Sequence, residues 1–164
     1  VMIAIAAMAE NRAIGKNGGL PWPSIKEDFR WFKEFTNDKI LVMGKRTFDT
    51  LPLLKNRYCI CVNNKTAFKP IMITNPQGME ALNVTQEFVV EGLRFVKEWN
   101  DKLYIVAGGA KTYERFLPYI TEFYITHVKG EYEADTFMPA FEHLYNKQEV
   151  VKEFDGNKVI KYSR

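Results

Sequence analysis

The 164-residue chain predicts an α/β fold: a mixed, mostly parallel central sheet flanked by helices, ending in an antiparallel hairpin. Three observations carry this expectation. Short apolar runs of strand length recur along the chain, several without polar alternation, as in strands covered on both faces. Helical patterns lie between many of them, the alternation that builds a parallel sheet. The tail differs: KQEVVKEF and KVIKYSR flank Asp155-Gly156-Asn157, a turn signal between two antiparallel strands.

MIAIAAM at 2–8 is the first strand. It is too short to span a membrane and no basic region precedes it, so it reads as core and not as a signal. A loop with Pro21 and Pro23 leads to a helix over 25–36. Ser24 suits the N-cap, and Glu27 three positions later completes an S-x-x-E capping box. KILVM at 39–43 is a strand running into a helix over about 46–51. YCICV at 58–62 and IMIT at 71–74 are further strands, whereas 75–90 carries little pattern. A helix over about 88–99, the strand LYIVA at 103–107, a helix over 111–117 and the strand FYITHV at 123–128 complete the alternation. No repeat, low-complexity segment or Pro/Gly/Ser linker divides the chain, so 1–164 reads as one domain.

Composition bounds the function. With 46% hydrophobic and 26% charged residues the chain should bury a core and not stay disordered. The net charge of +3 modestly favours anionic ligands but is too small and dispersed to argue for nucleic acid. Cys59 and Cys61 share one face of a strand and read as buried thiols, which fits a reducing, cytoplasmic setting. No His/Cys cluster accompanies them, so no metal is expected. Asn83-Val84-Thr85 matches a glycosylation acceptor, but nothing else points to secretion. No membrane partner is expected, and a monomer is the default.

The helix over 25–36 raises the first chemical question. At 3.6 residues per turn, Ile25, Phe29, Phe32, Phe35 and Thr36 fall on one side, and Lys26, Glu27, Arg30, Lys33 and Glu34 on the other. Asp28 lies between Phe32 and Phe35 as the only charge on the apolar side. A first-turn carboxylate gains from the helix dipole, which is one explanation. The other is a pocket: a buried carboxylate needs a partner or its pKa rises, and a ligand presenting N–H donors would supply one.

In open α/β sheets ligands bind beyond the carboxyl ends of strands, and three such ends carry suitable chemistry. LYIVA runs into Gly108-Gly109-Ala110, which reads either as a tight turn or as a close backbone approach to a phosphate. KILVM runs into Gly44-Lys45-Arg46-Thr47, either a solvated basic turn or a phosphate holder. YCICV runs into Asn63-Asn64-Lys65, where the asparagines suit a turn and Lys65 adds a cation.

Together these segments resemble the dihydrofolate reductase family. The resemblance runs through IAAMAENRAIGKNGGLPW at 5–22, DFRWFK at 28–33 and VMGKRTFDTLP at 42–52. Arg57 and Asn63-Asn64 continue it, then IVAGGAKTYERFLP at 105–118, YITHV at 124–128 and ADTFMP at 134–139. Only about 66–102 departs from the pattern. The resemblance implies a dihydrofolate reductase-like fold with an adenosine-binding subdomain over about 39–101. It implies reduction of 7,8-dihydrofolate to tetrahydrofolate with NADPH as hydride donor.

The resemblance also implies roles for residues. Asp28 would hold the pterin's amino group and ring N–H, with Thr126 hydrogen-bonded to it. Phe32 would pack on the ring system, and Leu51 and Leu54 would line the p-aminobenzoyl part. Arg57 would grip the glutamate α-carboxylate. Ile5, Ala6, Ala7 and Ala107 would offer backbone groups around the pterin. Gly44, Lys45, Arg46 and Thr47 match the turn that holds the NADPH phosphates; Lys45, Arg46, Asn64 and Lys65 fall on the adenosine 2′-phosphate side, and Asn63 is a further cofactor-binding position. Gly108, Gly109, Ala110, Lys111 and Thr112 match the pyrophosphate turn, where the family shows a cis Gly-Gly bond. Tyr113 would lie near the nicotinamide. Ile14, Gly15 and Leu20 belong to the mobile loop at 14–22, with Trp22 at its base.

Some positions depart from the family pattern. Asn63 and Asn64 stand where serines are frequent, and Ala134 where glycine is common. Two rival readings share the fold: a reductase of a ribosylated pyrimidine in riboflavin synthesis, and a non-catalytic structural protein. Asp28 and Arg57 favour folate over the first. Intact Trp22 and cofactor turns speak against the second.

Overall fold

The structure is a computed structural model that describes residues 1–63 and 69–164. Its elements follow the chain as β1 (Met2–Ala9), β2 (Ala13–Gly15), α1 (Lys26–Thr36), β3 (Ile40–Gly44), α2 (Lys45–Thr50) and β4 (Tyr58–Asn63). Next come β5 (Ile71–Thr74), β6 (Glu80–Thr85), α3 (Gln86–Phe95), α4 (Lys97–Asn100), β7 (Tyr104–Val106) and α5 (Ala110–Phe116). A 3-10 turn over Leu117–Tyr119 leads to β8 (Ile120–Val128), β9 (Thr136–Phe137), β10 (Lys147–Phe154) and β11 (Asn157–Ser163).

Among the described residues, nine strands form one sheet in the order β10-β11-β8-β1-β7-β3-β4-β6-β5. The six strands from β8 to β6 run parallel. The expected hairpin is there: β10 pairs antiparallel with β11, and β11 with β8. The sequence placed antiparallel strands at one end only. The structure has them at both, because β5 pairs antiparallel with β6. β5 is the expected IMIT strand, but its partner β6 lies in the stretch that carried little pattern.

Alternation through the sheet explains the non-alternating sequence. Met2 and Ala4 of β1 pack into one apolar layer with Phe116, Phe123 and Phe141. Ile3 and Ile5 face the other layer, with Leu41, Met43, Phe48, Trp31 and Phe35. Both faces of β1 are covered, so both sets of side chains are apolar. Cys59 and Cys61 share the second layer, as their spacing implied. Burial pushes both thiols up to about 11, so they are inert at neutral pH.

Two helix expectations need correction. The helix over 88–99 is two helices, broken at Val96, whose backbone is extended at φ −112° and ψ 109°. The S-x-x-E capping box does not form. Ile25 is the extended residue at the helix start and makes no side-chain cap, so Ser24 lies one position outside it. Glu27 and Asp28 both sit in the first turn, where the dipole favours negative charge.

Candidate active-site cleft

Three strand ends and one helix face converge on a cleft of about 950 Å³. From the β1 side come Ile5, Ala6 and Ala7; from α1, Asp28, Phe29, Trp31 and Phe32. The β3–α2 turn contributes Gly44, Lys45, Arg46 and Thr47, followed by Leu51; Asn63 closes β4. The β7–α5 turn contributes Ala107, Gly108, Gly109, Ala110, Lys111, Thr112 and Tyr113. Ile14, Gly15 and Leu20 cover one side.

Asp28 is the acid on the α1 wall of the cleft. Thr126 on β8 donates its hydroxyl to Asp28 Oδ1 at 2.7 Å. Thr126 pairs with Ala7 across β8 and β1, so the sheet register fixes the donor under the helix. Burial raises the Asp28 pKa above the usual carboxylate range, and the Thr126 hydrogen bond partly opposes that rise. Among the described residues no cation lies within ion-pair reach of it.

The glycine turn is built for close approach. The Gly108-Gly109 peptide is cis, and Gly108 has φ +120°. A Cβ at Gly44 would stand 3.0 Å from Thr112 Oγ1, and one at Gly108 would stand 3.3 Å from Thr47 Oγ1. The two turns are tied together: Gly44 N–H donates to the Gly108 carbonyl at 2.9 Å, and Ala107 N–H to the Val42 carbonyl at 2.9 Å. Tyr113 is buried and donates its hydroxyl to the Ile5 carbonyl at 2.7 Å, joining α5 to β1. Burial pushes its phenol far up, so it remains a donor.

The covering segment is held from one side. Lys16 and Gly19 exchange backbone hydrogen bonds at 2.9 Å around Asn17 and Gly18, both at positive φ. Asn17 N–H donates to Asp135 Oδ2 at 2.8 Å, and Asp135 N–H to the Gly15 carbonyl at 3.1 Å. The Asn17 and Thr136 hydrogen bonds hold the Asp135 carboxyl below its usual range.

Other expected residues fall elsewhere. Trp22 is buried in a third apolar cluster with Ala9, Ala13 and Val128, edge-on to Tyr132, outside the cleft lining. Its indole N–H, like that of Trp31, meets no acceptor among the described residues. Leu54 packs against the second apolar layer. Arg57 lines a separate open groove of about 590 Å³ with Arg30, Lys33, Glu34 and Asn37. Its guanidinium is drawn there by the Lys33 carbonyl, the Lys55 carbonyl at 2.5 Å and Thr36 Oγ1 at 3.2 Å. Asn63 turns its amide to Asn83 and the Val84 carbonyl. Asn64 and Lys65 lie outside the described residues.

The sequence reading passed over Trp31, Arg115 and Phe137, all of which line the cleft. Arg115 stands one turn beyond Lys111 on α5, a spacing that could have flagged it. Phe137 lies in the ADTFMP segment, where nothing in the apolar pattern marks it as a wall. Trp31 was hidden because its neighbours Phe35 and Tyr124, ring centroids 5.1 and 6.5 Å away, make it look like core.

A family model described as dihydrofolate reductase matches residues 1–163. Dihydrofolate reductase type 8 of Escherichia coli is 33% identical over 157 residues, 94% of this chain and 85% of that protein. The dihydrofolate reductase of Enterococcus faecium is 31% identical over 158 residues, 95% of this chain and 87% of that one. The solved dihydrofolate reductase of Enterococcus faecalis, complexed with NADP(H) and RAB-propyl, superposes with a TM-score of 0.78. It covers 100% of this chain and 96% of its own at 22% identity, and shares the fold.

Proposed function

The chain belongs to the dihydrofolate reductase family, and on that premise we propose how its residues carry the family's reaction. That reaction is NADPH-dependent reduction of 7,8-dihydrofolate to 5,6,7,8-tetrahydrofolate. The observation that carries the assignment is the Asp28 carboxylate: half-buried in a cleft also lined by Phe29, Trp31 and Phe32, hydrogen-bonded among the described residues only to the Thr126 hydroxyl, and open to a ligand bearing N–H donors.

The residues fit a diphosphate-bearing nucleotide. Two glycine turns leave room for backbone approach, and Lys45, Arg46, Lys111 and Arg115 surround them with positive charge. Gly44 to Thr47 and Gly108 to Thr112 hold the phosphates, Asn63 borders the adenosine side, and Tyr113 closes the nicotinamide end. Strands β3, β4, β6 and β5 stand together at one end of the sheet, which supports an adenosine-binding subdomain over 39–101. NADPH, when bound, supplies the hydride that reduces pterin C6.

Asp28 accepts hydrogen bonds from the pterin's amino group and ring N–H and favours protonation at N5. Water delivers that proton. Thr126 positions the carboxylate, Phe32 packs on the ring, and Leu51 lines the next part of the substrate. Ile5, Ala6, Ala7 and Ala107 frame the pterin with backbone groups. Arg57, just before β4, reaches the C-terminal end of α1 at Lys33 and Thr36, meets only neutral acceptors among the described residues, and would take the substrate's carboxylate, with Leu54 lining the approach. Ile14, Gly15 and Leu20 exclude water from the reacting atoms, with Trp22 anchoring the segment. Buried thiols support a cytoplasmic setting, the small, dispersed charge speaks against a nucleic-acid partner, and monomer stays the default; among the described residues no helix is long and apolar enough to cross a membrane.

The test is loss of NADPH absorbance on adding dihydrofolate, with wild type beside Asp28→Asn. Turnover in wild type with a drop of about 100-fold or more in the variant supports the assignment. Turnover that ignores the substitution removes Asp28 from its role. NADPH binding without turnover moves the protein to the pyrimidine reductase or a structural role.

A further inference from the structure

Lys45 and Arg46 are adjacent, yet they serve different parts of the cleft. Lys45 lies within electrostatic reach of Cys61 on β4, towards the adenosine half of the sheet. Arg46 lies within reach of Asp135, towards the covering segment. They also differ in their partners. The Lys45 ammonium is 2.6 Å from Asp49 Oδ1, one turn along α2. Arg46 has no carboxylate within ion-pair reach among the described residues. Lys45 lines the cleft, whereas Asp49 does not.

NADPH and NADH differ only by the 2′-phosphate of the adenosine. A dianion arriving at Lys45 meets a cation whose charge Asp49 already balances, and it meets Asp49's own negative charge. We propose that Asp49 is a specificity-determining residue that weakens binding of the 2′-phosphate through its hold on Lys45. The chain therefore discriminates less between NADPH and NADH than its cations alone would allow. This inference rests on the cofactor reading above.

Two adenosine ligands test it without turnover. Calorimetry with adenosine 2′,5′-bisphosphate and with adenosine 5′-phosphate is run on wild type, Asp49→Asn, Asp49→Ser and Asp49→Glu. The Asn and Ser variants should bind the bisphosphate about threefold to tenfold more tightly, with the 5′-phosphate unchanged. The gain should shrink as salt rises beyond about 0.1 M, and Asp49→Glu should behave as wild type. In turnover, the ratio of kcat/KM for NADPH over NADH should rise by a similar factor through KM.

Equal gains for both ligands would overturn the proposal, as would no gain in either neutral variant. Weaker bisphosphate binding would overturn it in the other direction, since Asp49 would then be positioning Lys45 for the phosphate. A selective gain with no turnover on dihydrofolate would sink the proposed reaction and leave the role of Asp49 standing.

Discussion

Thr126 on β8 and Asp28 on α1 are joined by a 2.7 Å hydrogen bond across 98 residues of sequence. The hydroxyl donates to the carboxylate, so it favours the charged form against the desolvation that opposes it. Thr126 is itself 1% exposed, and its position is fixed by pairing with Ala7. The donor therefore cannot follow the acid if α1 shifts.

Thr126→Val keeps the shape and removes the donor. The Asp28 pKa should rise further, since the one interaction lowering it is gone. The acid limb of the kcat/KM profile should then move to higher pH, and KM for dihydrofolate at neutral pH should increase about threefold to tenfold. Thr126→Ser should restore the profile. An unmoved limb with a merely lower melting temperature would reduce Thr126 to a packing residue.

The raised pKa of Asp28 has a stability consequence. A group that holds its proton more tightly when folded contributes stability below its unfolded value and loses it as pH rises through the folded value. At neutral pH the ligand-free protein thus carries a destabilising carboxylate. Asp28→Asn should unfold at a temperature higher by roughly 2–4 °C at pH 7, and the gap should close below the usual carboxylate range. Calorimetric melts at several pH values without ligand check this. A variant less stable at pH 7 would mean that the carboxylate is already satisfied in the free protein.

Much of this was legible from the chain. Strands β1, β3, β4, β7 and β8 were visible because they are covered on both faces and so are largely apolar. Asp28 stood out because its helix has one polar defect. The Thr126–Asp28 contact was legible only through the family resemblance: no local pattern near Thr126 says that it meets Asp28, because the bond depends on how β8 pairs with β1. The start of α1 was misread because S-x-x-E is a local signal, and the extended backbone at Ile25 displaced it. The second antiparallel edge was missed because Glu80–Thr85 alternates weakly and is half covered.

Arg12 clamps the covering segment from outside the cleft. Its guanidinium reaches Glu142 Oε2 at 2.5 Å, the Met138 carbonyl at 3.2 Å and the Pro139 carbonyl at 2.8 Å. Burial acts to raise the Glu142 pKa, but the Arg12 hydrogen bond and local backbone N–H groups outweigh it and hold the carboxyl low. A depressed carboxylate stabilises above its unfolded value and stops doing so as pH falls through the folded one. Arg12→Met should therefore lower the melting temperature at pH 7 and flatten its decline on acidification. The same slope in wild type and variant would show that Glu142 is not the titrating group.

Nothing in the local sequence pattern signals the importance of Asn75. It is buried, and its amide makes four hydrogen bonds. Nδ2 donates to the Phe48 carbonyl at 2.7 Å and the Leu51 carbonyl at 2.9 Å. Oδ1 accepts from Gln77 N–H at 3.0 Å and Met79 N–H at 2.8 Å. It thus satisfies the end of α2 and the turn into β6 at once, and it fixes Leu51, a cleft residue. Asn75→Ala removes all four hydrogen bonds and leaves the buried Met79 N–H without its acceptor, at a cost of about 2–4 kcal/mol. The melting temperature should fall by roughly 5–15 °C, and KM for dihydrofolate should rise more than KM for NADPH if Leu51, which lines the cleft, takes the substrate side proposed for it. Asn75→Asp should be as damaging, since it keeps the acceptor and loses both donors. Equal changes in the two KM values would separate the stability of this corner from the placement of Leu51.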